Sequence, residues 1–176
     1  REALALDEGN LWDSGRVESP ETLQIEYAGS VLESRQRCYW KVRVWGRDRN
    51  PSPWSKPAQW EIALLDPEDW GGVWICDGKP LPQKDEDFYA EDPAPLFRRL
   101  ITLDSGIKRA RLYITGLGYY EARINGRPVG DRFLDPCWTD YRDRVFFSTY
   151  DVSDLLQMGE NCLGVALGNG WYNPLP

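Results

Sequence analysis

Trp40, Val42 and Val44 alternate with Tyr39, Lys41 and Arg43, and this two-residue period constrains the fold more than any other feature. Alternation of this kind sends successive side chains to opposite faces of a half-buried strand. The period returns in Leu23, Ile25 and Tyr27 against Gln24 and Glu26, and more weakly in Trp60 and Ile62 against Gln59 and Glu61. Farther on, Leu112 and Ile114 alternate with Arg111 and Tyr113, and Tyr120, Ala122 and Ile124 with Tyr119, Glu121 and Arg123. No stretch before Asp66 keeps a helical period for three turns. Turn formers, 16 Gly and 13 Pro, punctuate these runs. The expected strands lie near 10–17, 22–27, 38–47, 58–63, 119–124, 127–130, 145–152 and 162–167. Asn125-Gly126 between two of them is a hairpin signal, because both central residues of a type I′ turn need positive φ. Ser153 to Met158 reads as one helical turn closed by Gly159. Short strands with polar turns between them point to an all-β sandwich or jelly roll.

Asp66-Pro67-Glu68-Asp69 reads as a boundary, with Pro67 opening a short helical turn capped by Asp66. Two domains are therefore expected, over residues 1–66 and 67–176.

Composition removes several kinds of chemistry. The 176 residues contain no histidine, which excludes Ser-His-Asp and Cys-His nucleophile pairs, an imidazole base and His metal sites. Lys and Arg number 21 against 28 Asp and Glu, and the resulting net charge of −7 argues against nucleic acid or anionic lipid as partners. No 18-residue apolar run is present, so no membrane span is expected. Arg1 to Asn10 shows no initiator Met and no apolar signal core, so the chain is expected to be an excerpt or a processed product. No Asn-x-Ser/Thr acceptor occurs, which fits a bacterial source. Cys38, Cys76, Cys137 and Cys162 form no C-x-x-C pair, so they read as four buried thiols, with a pairing among Cys76, Cys137 and Cys162 left open. The acidic segment Asp85 to Asp92 reads as a solvated loop, since its spacing is not that of a calcium loop. No metal and no cofactor are expected.

Nine tryptophans are about four times the usual share, which suggests sandwich cores anchored by indoles or faces that stack on flat surfaces, sugars included. Trp12, Trp40, Trp54 and Trp60 read as core anchors. Trp138, Asp140 and Tyr141 lie in a loop after Pro136, where an indole face and a carboxylate could meet a sugar, or where Asp140 could simply cap backbone N–H groups. Asn169, Trp171 and Tyr172 follow two glycines that permit close backbone approach, and domain contact is the favoured reading for them.

Several phrases are specific in their order. They are Leu11-Trp12-Asp13-Ser14-Gly15-Arg16-Val17, Tyr39-Trp40-Lys41-Val42-Arg43-Val44-Trp45, Ser52-Pro53-Trp54-Ser55 and the run Ala110 to Glu121. Pro136-Cys137-Trp138-Thr139-Asp140-Tyr141 and Leu167-Gly168-Asn169-Gly170-Trp171-Tyr172 follow. The ordered set resembles the N-terminal accessory region of bacterial α-L-rhamnosidases, glycoside hydrolase family 78. The resemblance implies a partial fibronectin type III-like sandwich over 1–66, then a jelly-roll, galactose-binding-like sandwich, both truncated. It also implies a downstream (α/α)₆ catalytic barrel as partner, with a carboxylate pair spaced for inversion. No acid here maps onto that pair, so no catalytic residue is assigned. The parent would release terminal non-reducing α-L-rhamnose, rhamnose-containing carbohydrate being a further partner, and would be periplasmic or extracellular. A stand-alone carbohydrate-binding module and a fibronectin-type protein-interaction module are the alternatives.

Overall fold

The computed structural model describes residues 2–80, 83–91 and 93–172. Pro82, Asp92 and Asn173, and with them the ends of the proline-flanked acidic segment and of the last motif, lie outside the described residues. The chain divides into two compact units, Arg1–Val73 and Trp74–Pro176. The described architecture is all-β apart from one helical turn, α1 (Glu2–Ala5), and three 3-10 turns.

In the first unit β1 (Arg37–Trp40) pairs antiparallel with β2 (Ala58–Glu61), Cys38 facing Trp60 and Trp40 facing Ala58. The strand expected over 38–47 ends at Trp40, and the returning segment shows why. Pro51, Pro53 and Pro57 have no N–H to donate and cannot sustain a ladder. Serines fill the gaps. Val42 N–H donates to Ser55 Oγ and Val44 N–H to Ser52 Oγ, each at 3.1 Å. The backbone N–H groups of Ser55 and Ser52 donate back to the Val42 and Val44 carbonyls, each at 2.8 Å. The hairpin thus continues irregularly to a bridge between Trp45 and Pro51.

The strands expected over 10–17 and 22–27 do not form. Asp13 Oδ1 accepts the Gly15 N–H at 2.8 Å, a local turn that competes with extension. Gly15 and Gln24 both sit at positive φ, 60° and 57°, which breaks the alternation in each run. The segment is held instead by Tyr27, whose hydroxyl donates to Ser30 O at 2.8 Å and whose ring meets Trp12 edge-on at 5.5 Å. The core-anchor reading fails for Trp40 and Trp60. They are 40% and 41% exposed and pack on each other at 6.1 Å, on the face that also carries the buried Cys38. Trp12 and Trp54 are half-buried. The turn expected at Pro67 forms as Pro67–Asp69, although the capping bond runs from the Asp66 N–H to the Asp69 carboxylate, at 3.4 Å.

The second unit has a four-stranded antiparallel sheet and a two-stranded one. The first runs β3 (Leu96–Leu103), β8 (Gly159–Gly168), β5 (Tyr119–Ile124) and β6 (Arg127–Pro128), in the spatial order β3-β8-β5-β6. The second pairs β4 (Arg111–Ile114) with β7 (Ser148–Asp151). β8 is the spine, pairing with β3 (Leu100 opposite Cys162) and with β5 (Ala122 opposite Val165). The inward positions of β5, Tyr120, Ala122 and Ile124, are buried together with Val152. Asn125 and Gly126 join β5 to β6 at φ 53° and 80°, the type I′ geometry expected of Asn-Gly. The Asn125 side chain also donates to the carbonyls of Leu155 and Asn161 Oδ1, each at 2.9 Å, and Asn161 is almost completely buried. The helical turn after β7 is shorter than expected, a 3-10 turn at Ser153–Leu155.

Candidate contact surface

Two glycine turns bring the aromatic candidates together. Gly118, in the bend between β4 and β5, sits at φ +88°. A Cβ there would lie 2.4 Å from the carbonyl oxygens of both Gly168 and Asn169, so only glycine permits the approach. A Cβ on Gly170 would in turn lie 2.9 Å from Gly118 Cα. The bend and the turn after β8 therefore touch backbone to backbone. The loop after Pro136 joins them through Tyr141, whose hydroxyl accepts the Gly118 N–H at 3.1 Å.

Four of the six candidate side chains meet as a result. The Trp138 and Trp171 rings lie 6.0 Å apart with their planes tilted by 51°, and they are 59% and 64% exposed. Tyr141 and Tyr172 meet edge-on at 6.0 Å. Asn169 enters through its backbone, its carbonyl accepting the Tyr172 N–H at 3.2 Å. Asp140 is engaged locally. Arg142 Nε and Nη2 donate to its two oxygens at 3.0 and 2.7 Å, and the Arg142 N–H donates to Oδ1 at 3.1 Å. These bonds to Arg142, side chain first, hold the Asp140 acid below its ordinary value. The pair is largely solvated, so it shapes the loop more than it stabilises the fold.

The loop is anchored from beneath by a residue that the sequence does not advertise. Asp135 is buried, and three hydroxyls converge on its carboxylate. Ser148 Oγ donates to Oδ1 at 2.8 Å, Tyr150 Oη to Oδ2 at 2.6 Å, and the Tyr120 hydroxyl also to Oδ2. Its carbonyl accepts the Tyr120 N–H at 3.0 Å. Tyr120 lies on β5 while Ser148 and Tyr150 lie on β7, so this carboxylate ties the two sheets together. Burial pulls the Asp135 acid upward, but the three hydroxyls and the nearby Arg132 charge outweigh it and leave the acid below its ordinary value. Burial, and then donation to Asp135, push the Tyr120 phenol far upward. An isolated Asp before Pro136 carries no periodic signal. Its clue is indirect: an inward Tyr on β5 needs an acceptor for its hydroxyl.

The buried-thiol reading holds only for Cys38. Cys76 and Cys137 are exposed, Cys162 is half-buried, and all four are free. Cys76 and Cys137 lie outside the named strands, whereas Cys38 sits inside β1. Among the described residues no group of three or more Cys, Asp or Glu could hold a metal ion, and no helix is long and apolar enough to cross a membrane.

Comparison with known proteins gives these two units their relatives. Residues 2–66 match the family described as the Rha78A-like, N-terminal immunoglobulin domain, and residues 105–175 match the α-L-rhamnosidase N-terminal domain. The chain is 37% identical to an α-L-rhamnosidase of Formosa agariphila, over 95% of this chain and 19% of that protein. It is 31% identical to one from an Alteromonas species, over 96% of this chain and 18% of the relative. Among solved structures, the α-L-rhamnosidase of Dictyoglumus thermophilum superposes with a TM-score of 0.85 at 40% identity, over 97% of this chain and 20% of that one. The Aspergillus terreus enzyme gives 0.77 at 37% identity, over 90% of this chain and 18% of its own. The chain thus spans about a fifth of the length of these relatives. With a matched domain in each unit and relatives along nearly its whole length, the chain corresponds to the N-terminal region of α-L-rhamnosidases.

Proposed function

We propose that this chain is the non-catalytic, accessory part of an α-L-rhamnosidase, and that the parent hydrolyses terminal non-reducing α-L-rhamnose with inversion. One observation carries the reading: relatives of that name match almost all of this chain with only about a fifth of their own length. The carboxylate pair of such an enzyme, about 6.5–9.5 Å apart for inversion, then belongs to the remaining four-fifths. The chain's role is to support and orient the catalytic part, with a domain boundary at Asp66–Asp69. The tilted Trp138–Trp171 pair and the Tyr141–Tyr172 pair are the surface offered for that contact. Exposed indoles with few neighbours of their own are what an interface core uses.

The test compares the 176 residues with the full-length parent on an aryl α-L-rhamnoside. The parent is expected to turn over and the isolated chain is not; turnover by the isolated chain would overturn the proposal. In the parent, replacing Trp138 and Trp171 together by Ala is expected to lower thermal stability of the catalytic part. A tryptophan-fluorescence titration of the isolated chain with rhamnose-containing oligosaccharides is expected to be flat. Saturation there, abolished by the same substitutions, would reassign the surface to carbohydrate.

A further inference from the structure

Four cation–ring contacts in the first unit join into one alternating stack. The Arg16 guanidinium lies 5.6 Å from the Trp45 ring centre. Arg43 lies 5.2 Å from Trp45 and 4.4 Å from Trp54. The Lys41 ammonium lies 4.7 Å from Trp54. The contact order is therefore Arg16, Trp45, Arg43, Trp54, Lys41. Local geometry builds it. Residues 41, 43 and 45 are two apart and share one side of an extended segment, and the serine-patched hairpin returns Trp54 alongside them.

Lys41 ends the stack in an unusual state. Its side chain is only 9% exposed, and its ammonium donates to the Asp7 carboxylate and to the Leu4 carbonyl. A covered ammonium needs such compensation. Both partners come from the N-terminal segment, which folds as one helical turn, α1, closed by Leu6 N–H to Ala3 O at 3.0 Å and Glu8 N–H to Ala3 O at 2.9 Å. A single turn does not persist alone in water. Asp7 sits at φ 60°, a conformation that Asp tolerates better than most residues. Lys41, more than any other group, holds the Asp7 acid below its ordinary value.

We propose that residues 2–8 form a strap fastened through Lys41 to the end of the arginine–tryptophan stack, so that this part of the molecule has a closed state and an open one. Opening uncovers the Lys41 ammonium that lies over the Trp54 ring, while leaving β1 and β2 paired. The inference stands independently of the rhamnosidase reading.

Hydrogen exchange on the full 176-residue chain tests it, with acrylamide quenching of tryptophan as a second readout. Lys41→Met keeps the alkyl stem and removes the charge. Exchange at the Leu6, Asp7 and Glu8 amides is expected to rise about tenfold or more, with quenching increased, while Cys38 and Trp60 stay protected. Lys56→Met, an exposed lysine on the neighbouring segment, is expected to change neither. Asp7→Asn, which leaves the lysine in place, is expected to raise the same amides by a smaller factor. Unchanged exchange at residues 6–8 in either strap variant overturns the proposal. So does an equal rise at Cys38 and Trp60, which would mean that the unit opens as a whole.

Discussion

Asp135 shows how much one side chain can decide. Its carboxylate takes three hydroxyl donors from two sheets, and each loses its charged acceptor without it. Asp135→Asn keeps the shape but offers one acceptor oxygen in place of two, with an amide donor now facing hydroxyls. A loss of about 1–3 kcal/mol is expected, read by urea unfolding of the 176-residue chain. Tyr120→Phe removes one donor and leaves the acceptor served by two others, so a smaller loss is expected. Acidity is the second consequence. The acids of Asp7, Asp69, Asp77, Asp135, Asp140 and Asp151 are all lowered from an ordinary value of 3.8. A carboxylate lowered on folding stabilises above its unfolded pKa, and that contribution fades as pH falls through the folded one. Stability is therefore expected to decline below about pH 4 and to stay level from about pH 5 to 7, where a chain without histidine has no side chain of ordinary pKa to titrate. Thermal unfolding across that range checks both. A step near pH 6 would contradict it.

At the scale of elements, legibility followed the backbone rules closely and failed where side chains rewrote them. The β5–β6 hairpin was readable because Asn-Gly states its own dihedral angles. The inward face of β5 was readable because burial obeyed the two-residue period. The strands near 10–17 and 22–27 were not, since an Asp side chain and two positive-φ residues break them without disturbing the apolar pattern. The segment after Trp40 departs from its pattern for another reason. Its alternation is genuine, but the charged side carries the arginine–tryptophan stack while Val42 and Val44 face solvent. The meeting of Trp138 with Trp171 and of Tyr141 with Tyr172 was not legible, because it depends on two glycine turns far apart in sequence. The turns make a sharp comparison. Gly126→Ala adds a Cβ with nothing within 4 Å, so only the φ of 80° is penalised, at about 1 kcal/mol. Gly118→Ala meets two carbonyl oxygens at 2.4 Å and is expected to cost about 3 kcal/mol or more. Melting temperatures of the two variants should separate clearly, and equal shifts would refute the backbone-contact argument.

For the whole molecule, the two units differ in what holds them. The second has Tyr120, Ala122, Ile124 and Val152 buried between paired sheets, reinforced by Asp135, Ser148 and Asn161. Among the described residues of the first, Cys38 is the one buried apolar side chain, and cation–ring contacts take over part of the work of a core. Such contacts are worth about 0.5–1 kcal/mol each where exposed. The first unit is thus expected to open at lower denaturant than the second. The thiols make this measurable without a label. Cys38 is 2% exposed at the centre of the β1–β2 pairing, and burial raises its thiol pKa, which slows alkylation further. Cys76 and Cys137 face solvent and should react at once, serving as the internal zero of time. A maleimide pulse counted by mass then turns Cys38 into a stopwatch, its delay recording how often the first unit breathes open while the rest of the chain stays shut.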